Sequence, residues 1–401
     1  MRKLKLNSGQ EKIVQEAVDW YFNSSEQVFQ ISGPAGSGKS TVLLAIIQRI
    51  GIPMSHVLPM SYVGAAALNM RLKGLYNAKT IHSALYELVD IIKTDSLGNV
   101  IMDKYLNRPI LTQVFRPREL INNYSLLIVD EAGMVPSYMR KDILHHNIKV
   151  LAVGDLNQLP SIDGSPAFLY TGEVHFLTEI MRQGVNSSII ELSQRAINGL
   201  PIHTGYYPND VLVIDYDDLT SEMIMSSNMV ICGKNNTRDF INNKVRKEIL
   251  GIHSEIPICG ERVMCVKNDW NEEVDGINLV NGLTGIVLNN PDVSNFDGKS
   301  FRMDFMPDYG NGPFVNLPID YEYITSLSDQ RKKLKNRNYS NGELFEYAYA
   351  STCHKAQGMT IPRVVYLEEY LNRDIQNNLN YTAITRASQG LIYVKQKRKF
   401  F

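Results

Sequence analysis

Residues Gly33 to Ser40 read Gly-Pro-Ala-Gly-Ser-Gly-Lys-Ser, a complete G-x-x-x-x-G-K-[ST] loop. Its flanks fit as well as its core. Before it runs Val28-Phe29-Gln30-Ile31-Ser32, a short apolar segment with strand character; after Thr41, residues Leu43, Leu44, Ile46, Ile47 and Ile50 recur at helical spacing. A strand, a glycine loop and a helix in that order make a phosphate cradle. Backbone N–H groups of Gly33, Pro34, Ala35, Gly36, Ser37, Gly38 and their neighbours (proline excepted) can wrap an anion, and the helix N-terminus adds partial positive charge. Lys39 is expected to reach the β- and γ-phosphates of a nucleoside triphosphate, and the Ser40 hydroxyl a Mg²⁺ ion, with Thr41 opening the helix behind them.

Composition sets few further limits. With 44% hydrophobic residues the 401-residue chain can build sizeable cores, and two or three domains are expected. A net charge of −1 excludes a uniformly basic coat, so any nucleic-acid contact has to be argued from local sites. Cys232, Cys259, Cys265 and Cys353 have no zinc spacing and read as reduced thiols of a cytoplasmic chain. No run is apolar enough for a signal peptide or a membrane span.

The N-terminal part alternates strand-like and helix-like runs, the α/β signature, with strands expected at 28–32, 55–60, 125–130, 148–153 and 174–178. The pattern breaks between His82 and Tyr124. There the turn-forming Asp95-Ser-Leu-Gly98-Asn stands between Ile91-Ile92 and Val100-Ile101-Met102, predicting a small inserted hairpin. A second α/β unit starts near Asn228, with a strand at Met229–Cys232 and a helix from Asn235 to Leu250. It is split by a Gly-, Asn- and Asp-rich β-like stretch and resumes with strands at 346–351, 363–367 and 390–394.

Two apolar strands end in chemistry. Ser125-Leu-Leu-Ile-Val-Asp130-Glu131 brings two carboxylates to a strand's C-terminal end, where α/β sheets bind ligands. Asp130 suits Mg²⁺ through its water shell, and Glu131 suits the orientation and deprotonation of an attacking water. Val150-Leu-Ala-Val-Gly154-Asp155-Leu-Asn-Gln158-Leu-Pro160 does the same with an amide, and Gln158 is positioned to register a γ-phosphate.

In this order the motifs resemble superfamily 1 DNA helicases of the 5′-to-3′ branch, the RecD-like and Dda-like enzymes. The resemblance runs from Asn7 to Val394. It implies two RecA-like P-loop NTPase lobes of α/β class, a pin-like hairpin in the first and a β-rich, SH3-like module in the second. The corresponding divisions are 1–85 with 121–200, 86–120, 201–257 with 346–401, and 258–345. Leu6 to Gln10 matches the family's L-x-x-x-Q, implying that Gln10 reads the adenine. Leu177 to Gln183 resembles L-x-x-x-x-R-Q, implying that Arg182 contacts the γ-phosphate. Asn380 to Ala387 resembles the family segment that carries an arginine finger, here Arg386.

Ser351-Thr352-Cys353-His354-Lys355-Ala356-Gln357-Gly358-Met359-Thr360 nearly matches T-x-H-K-x-Q-G-x-T. The resemblance places Thr352, His354 and Lys355 on DNA and Gly358 close to the nucleotide. Ser61-Tyr62-Val63-Gly64 aligns with A-P-T-G. Val63 replaces the phosphate-binding threonine, leaving Gly64, backbone N–H groups and a stacking Tyr62 for that role. Thr80-Ile81-His82 matches T-I-H and adds Thr80 and His82 to the groove. Met102, Tyr105 and Phe115 compete as the residue that splits base pairs. The basic runs 331–337 and 395–399 offer modest attraction to phosphates.

The resemblance therefore implies a monomeric motor using ATP and Mg²⁺ on single-stranded DNA and duplex junctions, beside replication or recombination proteins in a bacterial or phage-infected cell. A DNA-stimulated translocase that remodels protein–DNA complexes, and a nucleotide-gated binding module without turnover, are the alternatives. A small-molecule kinase would leave the Gln158, His354–Gly358 and Arg386 segments unexplained.

Overall fold

The computed structural model describes residues 6–92, 94, 97–102, 109, 111–120, 123–160, 168–179, 187–291, 293, 296–310, 312–335 and 340–396. The chain begins with α1 (Ser8–Asn23), whose stripe of Ile13, Val14, Ala17 and Trp20 is buried. β1 (Val28–Ser32) then leads into the glycine loop, and α2 (Lys39–Ile50) leads out of it. There follow β2 (Val57–Ser61), α3 (Gly64–Leu72), β3 (Lys79–Thr80), β4 (Tyr86–Ile92), β5 (Leu111–Pro117), β6 (Leu126–Asp130), β7 (Lys149–Gly154) and β8 (His175–Phe176). Six of these strands make one sheet in the order β3-β2-β6-β7-β1-β8, parallel at every pairing.

The continuous apolar character of these strands has a simple cause: both faces of the sheet are covered. Along β6, Leu126 and Ile128 enter the core beneath α1 and α2, while Leu127 and Val129 enter the core on the other face. Each such fully buried side chain contributes about 1.5–3 kcal/mol relative to exposure. The parallel strands end together, so the glycine loop after β1, the carboxylates after β6 and Gly154-Asp155 after β7 share one rim.

The second half repeats this plan. It contains β9 (Gly205–Tyr207), β10 (Val211–Asp215) and β11 (Met229–Cys232), then β12 (Arg262–Cys265), β13 (Asp269–Val274), β14 (Ile277–Leu279), β15 (Thr284–Val287), β16 (Ser300–Pro307), β17 (Phe314–Asp320) and β18 (Phe345–Tyr347). It closes with β19 (Ala350–Thr352), β20 (Ile361–Leu367) and β21 (Ala387–Lys395). The sheet β19-β11-β20-β21-β10-β9 is parallel except at its β9 edge. The inserted sheet, β17-β16-β15-β12-β18, is antiparallel around a core of Phe301, Phe305, Phe314 and Phe345.

Two expectations need correction. The apolar run 346–351 is not one strand. Phe345–Tyr347 pairs with β12 in the inserted sheet, and Ala350–Thr352 pairs with β11 in the second lobe. The chain changes sheets within two residues. The hairpin after His82 does exist, but β4 takes β5 as its partner in unbroken register from Tyr86↔Pro117 to Ile92↔Leu111. Among the described residues, the expected pairing of Ile91-Ile92 with 100–102 is not seen; Val100 bridges Thr94 and Met102 bridges Pro109.

The lobes are joined through α3. This nine-residue helix sends Ala65 into the core of the second lobe, Leu68 into that of the insertion, and Met70 into its own.

Candidate functional site: a nucleotide cleft between two lobes

A cleft of about 560 Å³ opens where the two sheets face each other. From the first lobe it is lined by Gly36, Lys39, Ser40, Thr41, Asp130, Glu131 and Gln158, and from the second by Gly358, Thr385 and Arg386. The loop is held open by backbone shape. Gly36 and Gly38 have φ of 85° and 83°, a left-handed region that costs other residues about 1–2 kcal/mol each. Lys39 Nζ donates to the Gly33 and Pro34 carbonyl oxygens at 2.6 and 3.1 Å, so its ammonium lies inside the loop. Gln10 does two things at once. Its Oε1 accepts the Asn7 N–H at 3.1 Å to cap α1, while Nε2 donates to Ser37 O at 2.9 Å and fixes the loop. The reciprocal bond, Gln10 N–H to Asn7 Oδ1 at 2.7 Å, completes the cap.

On the floor, Glu131 adopts φ 51° and ψ 42°, rare for a side chain with a Cβ, and its N–H donates to Asp130 Oδ1 at 3.0 Å. Burial lifts the Asp130 carboxyl above the usual range, with Lys73 and Lys39 pulling the other way. Burial also lifts Glu131, the Asp130 charge adds to it, and Arg386 and Lys39 oppose it. Buried Gln158 presents an Oε1 with no partner to this space. An unpaired buried amide oxygen is costly unless a ligand or water completes it.

The second lobe is pinned across the cleft by specific bonds. Tyr381 Oη donates to Asp155 Oδ2 at 2.7 Å and accepts the Ala35 N–H at 3.1 Å. Leu159 N–H donates to Thr382 Oγ1 at 3.0 Å, and Gln357 Nε2 returns a bond to Leu159 O at 2.8 Å. Asn69 of α3 donates to Gly358 O at 2.6 Å. Arg386 is buried, with Nε on Thr382 O at 3.1 Å and Nη1 on Met359 O at 3.2 Å. These bonds aim its guanidinium at the Glu131 side of the cleft. Arg182 lies outside the described residues, as do Tyr105 and residues 336–337 and 397–399 of the basic runs.

Beside this cleft an aromatic strip runs from the first lobe to the hairpin. The Tyr62 and His82 rings lie 6.0 Å apart, and His82 lies 4.9 Å from Phe115, which is 57% exposed on β5. Flat, partly exposed rings of this kind suit stacking on bases. Val63 begins α3 in an extended conformation with no side-chain cap, as a valine must.

Four groove expectations fare differently. Thr80 is buried, and its Oγ1 accepts the Ser83 N–H at 3.2 Å, capping the helix Ile81–Leu85 instead of facing a groove. Gly64 packs against the insertion, where an added Cβ would meet Asn281 O at 2.9 Å. Thr352 is buried in β19. Lys355 turns inward, and its ammonium donates to both carboxylate oxygens of Glu346 at 2.8 and 2.7 Å. His354 is half-buried, and burial lowers its pKa, which favours the neutral imidazole.

The model of the AAA domain matches residues 5–208, half of the chain. The chain belongs to the AAA domain family. A second model, the UvrD-like helicase C-terminal domain, matches residues 347–394. The two matches, an AAA domain followed by a UvrD-like helicase C-terminal segment, agree with the superfamily 1 resemblance carried by the motifs. Among curated relatives it is 24% identical to an uncharacterised protein of Methanocaldococcus jannaschii, over 92% of this chain and 37% of that one. It is also 24% identical to the ATP-dependent DNA helicase Pif1 of Campylobacter jejuni, over 89% and 86%. The chain thus spans little more than a third of the archaeal relative. In fold it resembles the Bacteroides Pif1 helicase solved with ADP-AlF3 and ssDNA (TM-score 0.57, 18% identity, 98% of this chain and 92% of that one). The Candida albicans Pif1 helicase is similar too (TM-score 0.53, 17% identity, 97% and 95%).

In this family member the Lys355 pair belongs to a larger buried cluster. Burial alone would lift Glu346, but Lys355, Arg238 and Arg331 overcome it and hold the carboxyl at about 2. Lys355 is itself lowered, to about 8, because burial outweighs its one carboxylate. The two shifts agree once charges are counted: three cations share Glu346 and Asp239, and the surplus positive charge falls on the lysine. The Tyr381, Thr382 and Asn69 bonds were not anticipated from sequence. Tyr381 and Thr382 sit within a quoted motif, but nothing there shows which atoms they reach. Among the described residues no group of three or more His, Cys, Asp or Glu could hold a metal ion, and no helix is long and apolar enough to cross a membrane.

Proposed function

We propose that this chain is an ATP-driven helicase that moves 5′ to 3′ along single-stranded DNA and opens the duplex ahead of it. The observation that carries this reading is the shared cleft: Lys39, Ser40 and Glu131 from one lobe and Arg386 from the other line one space. A triphosphate there would draw both lobes together, and loss of its γ-phosphate would loosen them. Lys39 would exchange carbonyl oxygens for phosphate oxygens. Glu131 would orient a water and accept its proton, Gln158 would donate its amide N–H to a γ-phosphate oxygen and accept from the attacking water with Oε1, and Arg386 would neutralise charge developing on the transferred group.

The donor set fits Mg²⁺: Ser40 Oγ and the Asp130 carboxylate are hard oxygen ligands, and together they already attract a lysine ammonium. When bound, the ion would neutralise phosphate charge and order the triphosphate.

The sheets support a division into a first lobe carrying the β4–β5 pin, and a second lobe interrupted by the β12–β18 module. Single-stranded DNA would cross the Tyr62–His82–Phe115 strip and the His354 loop, giving phosphate-dominated, salt-sensitive binding by a monomer. The test is ATP hydrolysis with and without single-stranded DNA, paired with unwinding of 5′- and 3′-tailed duplexes. Stimulated hydrolysis with release only from the 5′ tail is expected; hydrolysis indifferent to DNA would overturn the proposal.

A further inference from the structure

Lys73 follows the last residue of α3 and lies outside every motif quoted above. Its backbone N–H closes the helix on the Asn69 and Met70 carbonyl oxygens. Its side chain leaves the helix toward the glycine loop, where Nζ donates to Ser40 Oγ at 3.0 Å. It is also the leading positive charge on the Asp130 carboxylate. Lys39, whose ammonium is turned into the loop carbonyls, contributes less there. An ammonium thus stands on the hydroxyl assigned above to Mg²⁺, and Asp130 lines the same space. Both cations are hard and compete for the same oxygen.

We propose that Lys73 is a displaceable counter-cation of the metal site, so that Mg²⁺-nucleotide must expel its ammonium from Ser40. This rests on the nucleotide-site reading and extends it to a residue that acts by competition. Lys73 is exposed and free to swing into solvent. Its position also gives the exchange a mechanical outlet. One helical turn before it, Asn69 holds Gly358 O of the second lobe, and at the far end of the helix Gly64 abuts the insertion. Release at residue 73 therefore loosens the end of a rod that touches all three bodies.

The experiment is a titration of the full chain with a fluorescent ADP analogue, once in EDTA and once in excess Mg²⁺. It compares the unsubstituted protein with Lys73→Met and Lys73→Arg. The ratio of the two affinities measures how much the metal helps. In Lys73→Met that ratio should rise about fivefold, the weight of one partly exposed charged hydrogen bond no longer opposing the metal. Lys73→Arg keeps a cation at the site and should return the ratio toward the unsubstituted value. An unchanged ratio, or two affinities that fall by the same factor as for an ordinary phosphate ligand, overturns the proposal. If the unsubstituted chain binds no nucleotide in either condition, the nucleotide-site reading fails and takes Lys73 with it.

Discussion

Gly358→Ala tests whether the two lobes work as one nucleotide site. Gly358 has φ 77°, and a Cβ built there would lie 3.0 Å from Ala66 Cβ and 3.3 Å from Ala66 N, across the seam between lobes. Two penalties follow, and they behave differently. The left-handed backbone costs about 1–2 kcal/mol whatever the lobes do, and should appear as a lower melting temperature. The contact with Ala66 adds about 1 kcal/mol or more of overpacking, but only while the lobes are together. The second term opposes closure and should weaken nucleotide binding by about five- to tenfold. Titration of a fluorescent ADP analogue separates the two, with thermal unfolding run alongside. Adding Ala66→Gly removes the opposing Cβ and should recover most of the binding while leaving the backbone strain in place. If Gly358→Ala melts earlier yet binds nucleotide like the parent, the seam is not part of the site.

Two further outcomes are expected. Because burial and Asp130 lift the Glu131 carboxyl above its ordinary 4.5, turnover should be lost as pH falls through a midpoint above that value, a limb measurable in kcat. Glu131→Gln should abolish turnover with nucleotide binding retained, and an acid midpoint at or below 4.5 would remove Glu131 as the base. In the buried cluster, Glu346→Gln should destabilise by about 3 kcal/mol in denaturant titrations, since three cations lose their shared carboxylate. Lys355→Met, which leaves Arg238 at 3.3 Å and Arg331 at 3.6 Å from Glu346, should cost about 1 kcal/mol. The Glu346 contribution should be complete above pH 4.5 and disappear as pH falls toward about 2, because its folded pKa is the depressed one.

What was legible in the sequence is what local pattern controls. β1 and Met229–Cys232 were read to the residue, since an apolar run between turn residues has little other outcome. The phosphate loop was legible because backbone conformation and chemistry occupy the same eight positions. β5 was not: among its described side chains Val114 is half-buried and Phe115, Arg116 and Pro117 are exposed, so they impose no alternating period. The change of sheet between Tyr347 and Ala350 was hidden by residues apolar enough for either side. Lys355 shows the limit for sites. Its motif position suggests a groove, yet Glu346, nine residues earlier on a different sheet, draws the side chain inside, and only tertiary placement reveals that. Thr80 was spent on a helix cap, a role its motif does not distinguish from ligand contact.

Leu68 apart, which enters the core of the insertion, α3 meets the second lobe and the insertion through very little side chain. Ala66 lies against Gly358 and Ala65 against Gly282, methyl groups on bare backbone rather than interlocking branches. Surfaces so shallow have few ridges to climb, and they can slide by an ångström at small cost. The hydrogen bonds laid across them act as detents. A stroke built on this joint would be a glide between discrete stops, with the size of each advance set by the spacing of those bonds and not by the bulk of the parts that move.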